Sequence, residues 1–298
     1  MALATNHIDI NRGTTGLQLT PEQSSEIWAA TIEESAVMRL AQRVNLPGSG
    51  ISIPIITGDP VADFVAETAE KPVSESTFGA KTMTPYKLAV IELFSNEFRR
   101  DFGALYNELV RRLPSAIGAK FDATVFNGTA PGTGFDVLTG STAVGIGGTG
   151  TYGKLVTAFT TVGAAGRLNG WAVSPQAEGI LLSATDQAGR PLLIDSINDD
   201  SAVGRLLGAQ VVESERVYKA GTPNVVGIAG DWTQARYGIV DGINVSISEE
   251  ATINTGTEQV NLWQRNMFAV RVEAEIGFAV ESTDAFVKVL GTATGTTN

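Results

Sequence analysis

The chain has no cysteine in its 298 residues. Disulfides and thiolate chemistry are therefore excluded, and cysteine usage gives no support for secretion. Histidine occurs once, as His7 in a polar N-terminal stretch. Neither a Ser-His-Asp triad nor a multi-histidine metal site can be built from it. Basic residues are scarce: 21 Lys and Arg stand against 32 Asp and Glu, for a net charge of −11. That balance opposes sequence-independent binding to nucleic acid, which rests on cations neutralising phosphates. No uninterrupted apolar run reaches the ~18 residues of a membrane span. The first residues carry only Arg12 as a cation and no apolar core segment, which excludes a signal peptide. These absences point to a soluble protein folded in a reducing cytoplasm.

What is present is ample apolar content, 43% of the chain, enough for one large core or two smaller ones. Residues 1–19 are polar and read as a loose N-terminus. A helix is predicted to start at Thr20, with Thr20 as N-cap, Pro21 at the first helical position and Gln23 completing a capping box. Its stripe is Trp28, Ile32, Ala36, Leu40 and Val44. Pro47, Gly48 and Gly50 end the unit.

The segment from Glu67 to Asp101 then stands out. A long polar arm lies between two apolar β runs, Ile51–Ile56 and Leu88–Phe94, which suggests an extended hairpin leaving the body. So long a connection is rare in a compact monomer unless it has a task, and an isolated two-stranded arm is marginal in water. Phe64, Val65, Val73, Phe78 and Met83 cannot form a core of their own, so the arm is expected to lie on another copy of the chain.

Helical spacing follows from Ser95 to Phe126, with Pro114 expected to kink or interrupt it. Asn127–Gly153, rich in Gly and Thr, reads as a mobile loop or domain boundary. Helices are predicted at Leu155–Arg167 and Pro175–Ala188, and short strands at Trp171–Val173, Gln210–Glu213 and Val225–Ala229. Their alternation suggests a small α/β or α+β unit. Phe268–Val280 alternates cleanly: Phe268, Val270, Val272, Ala274, Ile276, Phe278 and Val280 face one way, and Arg271, Glu273 and Glu275 the other.

Two candidate chemistries are weak. Gly148 to Lys154 fits GxxxxGK and GxGxxG. A phosphate loop next needs Ser or Thr, and position 155 is Leu; it also needs a preceding strand, where a Gly/Thr loop is expected. Carboxylates are paired at Glu33/Glu34, Asp199/Asp200, Glu249/Glu250 and Glu273/Glu275, but a hydrolytic pair must face a cleft. A solvated surface is the simpler account of them.

Three stretches in order carry a resemblance. They are the arm with the helix after it, the run Gly170–Leu193 with its strand, Ser-Pro turn and Asp-x-x-Gly-Arg-Pro-Leu, and Gly227–Glu250 with a Gly-Asp-Trp turn leading to a strand. Together they resemble the tailed-bacteriophage major capsid proteins of the HK97-fold family, over roughly Leu19 to Leu290. The resemblance implies an α+β fold of the HK97 type. It comprises an N-terminal arm (1–49), an extended loop (50–93), a peripheral domain with the long spine helix and long strands (94–127 and 238–282), and an axial domain with the C-terminal tail (128–237 and 283–298).

It also implies a structural, non-enzymatic subunit. Such a subunit self-assembles as hexamers and pentamers into an icosahedral shell, in the bacterial cytoplasm, and becomes part of the virion. The shell encloses DNA without sequence-specific binding, with scaffolding, portal and decoration proteins as further partners and no cofactor, metal or membrane. The chain begins close to the arm, so a separate scaffold or none is expected. An encapsulin-like compartment shell shares the fold and stays open as an alternative, as does an acidic hydrolase using a carboxylate pair.

Candidate inter-subunit residues are Phe64, Lys71, Phe78, Lys81, Arg99, Arg271, Glu273 and Glu275. Some family members join an arm lysine covalently to an asparagine of a neighbour. Lys71, Lys81 and Lys87 lie on or beside the arm, and ordinary salt bridging is the expected role for them.

Overall fold

The structure is a computed structural model that describes residues 35–58, 60–65, 70–71, 73–96, 102–148, 150–182, 204–240, 244–256 and 258–291. His7, the predicted helix from Thr20 to Glu34, Arg99, Asp199/Asp200, the Asp-x-x-Gly-Arg-Pro-Leu run and the last seven residues lie outside them. Two sheets carry the fold, each with its own apolar core.

The first sheet is built on β14, Met267–Val280. Along one edge β14 pairs antiparallel with β4, Tyr86–Ser95, from Met267↔Ser95 to Ile276↔Tyr86. Along the other it pairs with β11 (Asn244–Ser248) and β10 (Ala235–Ile239), and β10 in turn pairs in parallel with β1 (Gln42–Asn45). All seven even-numbered apolar residues predicted to share a face, Phe268 to Val280, lie in one core. The long helix α2, Phe102–Asn127, closes that face with Ile117, Phe121 and Val125. At 26 residues it extends ~39 Å.

Several expectations change here. α2 runs unbroken through Pro114. A proline inside a helix removes one N–H donor, and the sheet-facing residues that follow hold the helix together. The N-terminal helix is only α1, Ala36–Leu40, within the described residues; Val44 belongs to β1. Arg43 and Val44 gain a ladder with β10 that a continued helix would forfeit. The apolar run Leu88–Phe94 does not pair with Ile51–Ile56. It supplies Leu88, Val90 and Phe94 to the core beside β14, and Phe94 stacks on Phe268 with centroids 5.5 Å apart.

The hairpin exists with a different partner. β2 (Ile51–Gly58) pairs antiparallel with β3 (Thr77–Met83) from Ile51↔Met83 to Gly58↔Thr77. Its root is clamped to the body. Met83 is fully buried with Leu46 over Gly238 and Gly277, which face each other across β10 and β14. An added Cβ would come within 2.5 Å of Leu46 at Gly238 and 2.7 Å at Gly277. Only glycine lets the arm root approach so closely.

The second sheet has the order β5-β15-β9-β6-β8-β7. Its members are β5 (Thr142–Gly145), β6 (Gly170–Val173), β7 (Arg205–Leu206), β8 (Ala209–Glu213), β9 (Val225–Gly230) and β15 (Phe286–Leu290). Helices α3 (Thr151–Gly163) and α4 (Pro175–Leu182) pack on it with Leu155, Ala158, Val162, Ala177 and Leu181.

The Gly/Thr-rich stretch 127–153 is not a free loop. Phe135, Leu138 and Ile146 are buried, and β5 pairs in parallel with β15. The stretch also clamps the arm root: Thr84 N–H donates to the Gly134 carbonyl and Tyr86 Oη–H to that of Thr133, each at 2.8 Å. A small separate hairpin, β12 (Thr252–Asn254) and β13 (Gln259–Asn261), completes the described strands.

Candidate functional site

Four places could carry function: the arm, the charged face of β14, the Gly-rich turn before α3, and the buried carboxylate of Asp122.

The arm presents apolar side chains to solvent. Phe64 is 104% exposed, Val73 91%, Phe78 74% and Ile56 66%, whereas Met83 at the root is 0% exposed. β2 and β3 form a sheet of their own, and Val61 N–H donates to Ser74 Oγ at 2.8 Å, which keeps the two sides together past the last ladder pair. Lys71 is exposed near the tip. Lys81 is held at the root, with Nζ 3.1 Å from Asp136 Oδ2. Asp136 also accepts the Val280 N–H at 2.9 Å, so one carboxylate ties β3 to the end of β14.

The odd-numbered face of β14 is a ladder of charges. Arg271 Nε lies 3.3 Å from Glu273 Oε1 and donates to Ser246 Oγ at 3.2 Å. Lys87 reaches Glu273 at 3.6 Å and Glu275 at 3.4 Å. Arg271, Glu273 and Glu275 thus come together with Lys87, which the sequence reading placed only beside the arm. Adjacency of Lys87 and Glu275 across β4 and β14 was the missing signal, and it needs the strand register. These pairs are partly solvated, and each contributes only ~0.2–1 kcal/mol. Both glutamates are engaged by Lys87 or Arg271, so among the described residues they do not form a free carboxylate pair of the kind a hydrolase needs. Glu249 and Glu250 sit in the bend after β11.

The turn at Gly148–Lys154 does follow a strand, β5, contrary to expectation. Its lysine is nevertheless committed inward: Lys154 Nζ donates to the Gly147 carbonyl at 2.6 Å, and Thr151 Oγ1 donates to those of Ile146 and Gly148. The residues that a phosphate would need instead close the turn on itself.

Asp122, on α2, is buried and sits at the N-terminus of α1. It accepts from Ser35 Oγ at 2.6 Å, from Ala36 N–H at 2.8 Å and from Val37 N–H at 3.3 Å. Burial pushes its carboxyl up to about 6, against the pull of those three bonds and of Arg216. Such bonds satisfy the free N–H groups of a helix start, so Asp122 fixes the start of α1 against α2. Sequence reasoning missed it because a lone Asp in a helix carries no signal.

A second carboxylate, Asp231, organises the Gly-Asp-Trp turn. It accepts from Arg167 N–H at 2.9 Å, Thr233 Oγ1 at 2.5 Å and Asn169 Nδ2 at 3.1 Å. Partial burial opposes its ionisation, yet these bonds from Arg167, Thr233 and Gln234 hold it below the usual carboxylate range. Trp232 then packs into the core against Phe126 and Phe286. The turn is structural.

Comparison with known proteins bears on which of these places matters. A sequence profile of the Phage capsid family matches residues 15–290. The chain is 34% identical to the probable major capsid protein gp17 of Mycobacterium phage L5, covering 91% of this chain and 88% of that one. A solved structure from Gordonia phage Cozz superposes with a TM-score of 0.69 at 26% identity, covering 87% of each chain. The capsid of an empty GTA particle, at 15% identity, shares the fold with a TM-score of 0.68 over 87% of this chain and 90% of the other. With a family profile spanning nearly its whole length and an α+β fold shared with capsid proteins, this chain belongs to the Phage capsid family.

Proposed function

We propose that this chain is the shell subunit of a tailed-phage capsid of the HK97 type. It assembles through its own surfaces into an icosahedral shell that encloses DNA. Family membership supports the class of function. The observation that carries the mechanism is the arm, whose large apolar side chains are solvated while its root is buried. Each such side chain contributes ~1.5–3 kcal/mol when fully buried on a partner, and a hairpin of this kind gains that burial only on another copy. In this reading β2–β3 is the extended loop, α2 the spine helix, the β14 sheet the peripheral domain and the β15 sheet the axial domain. β4 then belongs to the peripheral domain, and the boundary with the axial domain falls before Ala235, so that β10 stays whole.

Phe64, Phe78 and Lys71 lie along the arm's contact with a neighbour. The ladder of Arg271, Glu273 and Glu275 supplies a charged strip for a second contact, and Arg99 a third. The role is structural: the chemistry is repeated weak association, not turnover. Assembly takes place in the bacterial cytoplasm, the product is the virion capsid, and scaffolding, portal and decoration proteins are its further partners. The acidic chain encloses DNA without gripping it.

Light scattering and negative-stain microscopy of the purified chain test this reading. Closed shells or capsomer-sized rings are expected. A monodisperse monomer under every condition of salt and crowding would overturn it.

A further inference from the structure

A cavity of about 190 Å³ opens between the β4 edge of the first sheet and α2. Its walls are largely carbon: Leu88 of β4, Ile276 of β14, Phe121 of α2 and Phe135 of the loop that clamps the arm root. An apolar cavity of roughly 150 Å³ accepts a benzene molecule, so this one is the right size for a phenyl ring. Thr124 lines it, and so does the exposed Lys120, which makes no ion pair among the described residues.

At the arm tip of the same chain, Phe64 has no partner ring among the described residues and is 104% exposed. Its neighbour Asp63 is exposed and, among the described residues, bonds only locally, accepting the Phe64 N–H at 2.8 Å. An exposed phenyl ring beside an exposed carboxylate complements a ring-sized apolar cavity beside an exposed ammonium.

We propose that the arm tip of a second copy docks here, with Phe64 seated between β4 and α2 and Asp63 against Lys120. The proposal rests on the shell reading and names the receptor for the arm. Phe64 cannot enter the cavity of its own chain without breaking the β2–β3 ladder that holds the tip away from the root. Between Ile51 and Phe64 an extended strand spans up to ~43 Å, enough to cross a neighbouring body. The loop that forms one wall with Phe135 also clamps Thr84 and Tyr86, so each chain's own arm root helps shape the cavity that receives the next arm.

Because the chain lacks cysteine, single cysteines can be placed cleanly. Phe64→Cys and Thr124→Cys chains are co-assembled and treated with a short bismaleimide. A covalent dimer on a denaturing gel is expected from the mixture and from neither variant alone. Phe64→Cys mixed with Tyr152→Cys, on the far helix α3, is expected to give none. Shells without the Phe64–Thr124 product would overturn the docking site and leave the shell reading intact; failure of the unsubstituted chain to assemble would overturn the shell reading itself. Asp63→Lys is expected to raise the concentration needed for assembly about tenfold, a change of the size one lost charge-assisted contact produces. Combining it with Lys120→Asp is expected to restore assembly, and a double variant as poor as the single one would refute the Asp63–Lys120 contact.

Discussion

β14 and the arm are built from similar material and end in opposite states. Both alternate apolar with polar residues, and both pair with antiparallel neighbours. β14 has partners on both edges and a helix over one face, so its even residues vanish from solvent. Among the described residues the arm has two strands and nothing over either face, so Ile56, Phe64 and Phe78 stay wet while Met83 at the root is buried. A strand pattern therefore states which face seeks burial, but the supply of covering elements decides whether the same chain provides it. In β14 the apolar face stabilises the monomer. In the arm it stays solvated among the described residues, and in the proposed reading it is buried on another copy.

The sharpest way to break this comparison is to remove a ring from each. Phe278→Ala, in the centre of the core, is expected to destabilise the subunit by ~3–5 kcal/mol, read as a lowered denaturant midpoint. Phe78→Ala on the arm is expected to change subunit stability by less than ~0.5 kcal/mol while lowering shell yield. Replacing residues 59–76 with a two-residue turn extends the same logic: the melting temperature of the body should hold, because Met83 and Leu46 stay buried, and closed shells should disappear. Unfolding of that variant would show that the arm belongs to the monomer's core. Normal shells from it would show that the arm is dispensable.

A smaller effect is expected where α1 meets α2. Asp122→Ala strands Ser35 Oγ and two backbone N–H groups at a buried helix start, for ~2–4 kcal/mol. Its pH dependence has a definite sign. The folded-state value of about 6 lies above the ordinary 3.8, so between them the folded chain holds a proton that the unfolded chain releases. The stabilising contribution of this group is complete below about pH 4 and is lost as pH rises through about 6, by up to ~3 kcal/mol. Ionised carboxylates elsewhere push the other way. The measurement is therefore the difference in unfolding free energy between the original subunit and Asp122→Asn from pH 4 to 7, and a difference independent of pH would refute the raised value.

The elements with strong periodicity were legible in the sequence. β14 was readable residue by residue, the C-terminal half of α2 was readable from Ile117, Phe121 and Val125, and β6, β8 and β9 were readable as short apolar runs. The capsid fold followed from three motifs in order, not from periodicity. What escaped notice depended on partners distant in sequence. β5 has four residues in a Gly/Thr-rich stretch and is a strand only because β15, far along the chain, lies beside it in parallel. β1 looked like the last turn of a helix until β10 offered it a ladder. The hairpin was foreseen with the wrong strand, since both β3 and β4 alternate and only the β14 core distinguishes them. Of the candidate contact residues, the exposure of Phe64 and Phe78 could be foreseen from their polar surroundings. The internal pairing of Lys81, Lys87 and Arg271 could not, because it needs strand register and the fold of the loop after α2.

Charge tests the comparison more gently. Arg271→Glu places three glutamates in a row on one face of β14 and removes the bonds to Glu273 and Ser246. The pair is half solvated, so the subunit should lose no more than ~1 kcal/mol. If the strip meets a neighbour, assembly should suffer far more than stability, because every copy in the shell repeats the defect. Normal shell yield would refute an interface role for Arg271, Glu273 and Glu275.

The smallest effect is expected at Lys154, and it separates a local staple from a binding site. Nζ donates to the carbonyl of Gly147 in a turn that Thr151 also closes with two hydroxyl bonds. Lys154→Ala removes one of three side-chain bonds and leaves the buried face of α3, Leu155, Ala158 and Val162, untouched. A single hydrogen bond is worth ~0.5–1.5 kcal/mol net, and the remaining two hold the same turn, so a shift at the low end of that range is expected in the unfolding midpoint. Shell yield should not change. Titration calorimetry with ATP should give no heat of binding for either the original chain or the variant. Micromolar binding that vanishes with the lysine would mean that the turn after β5 opens to hold a phosphate, and that Lys154 exchanges the Gly147 carbonyl for a ligand.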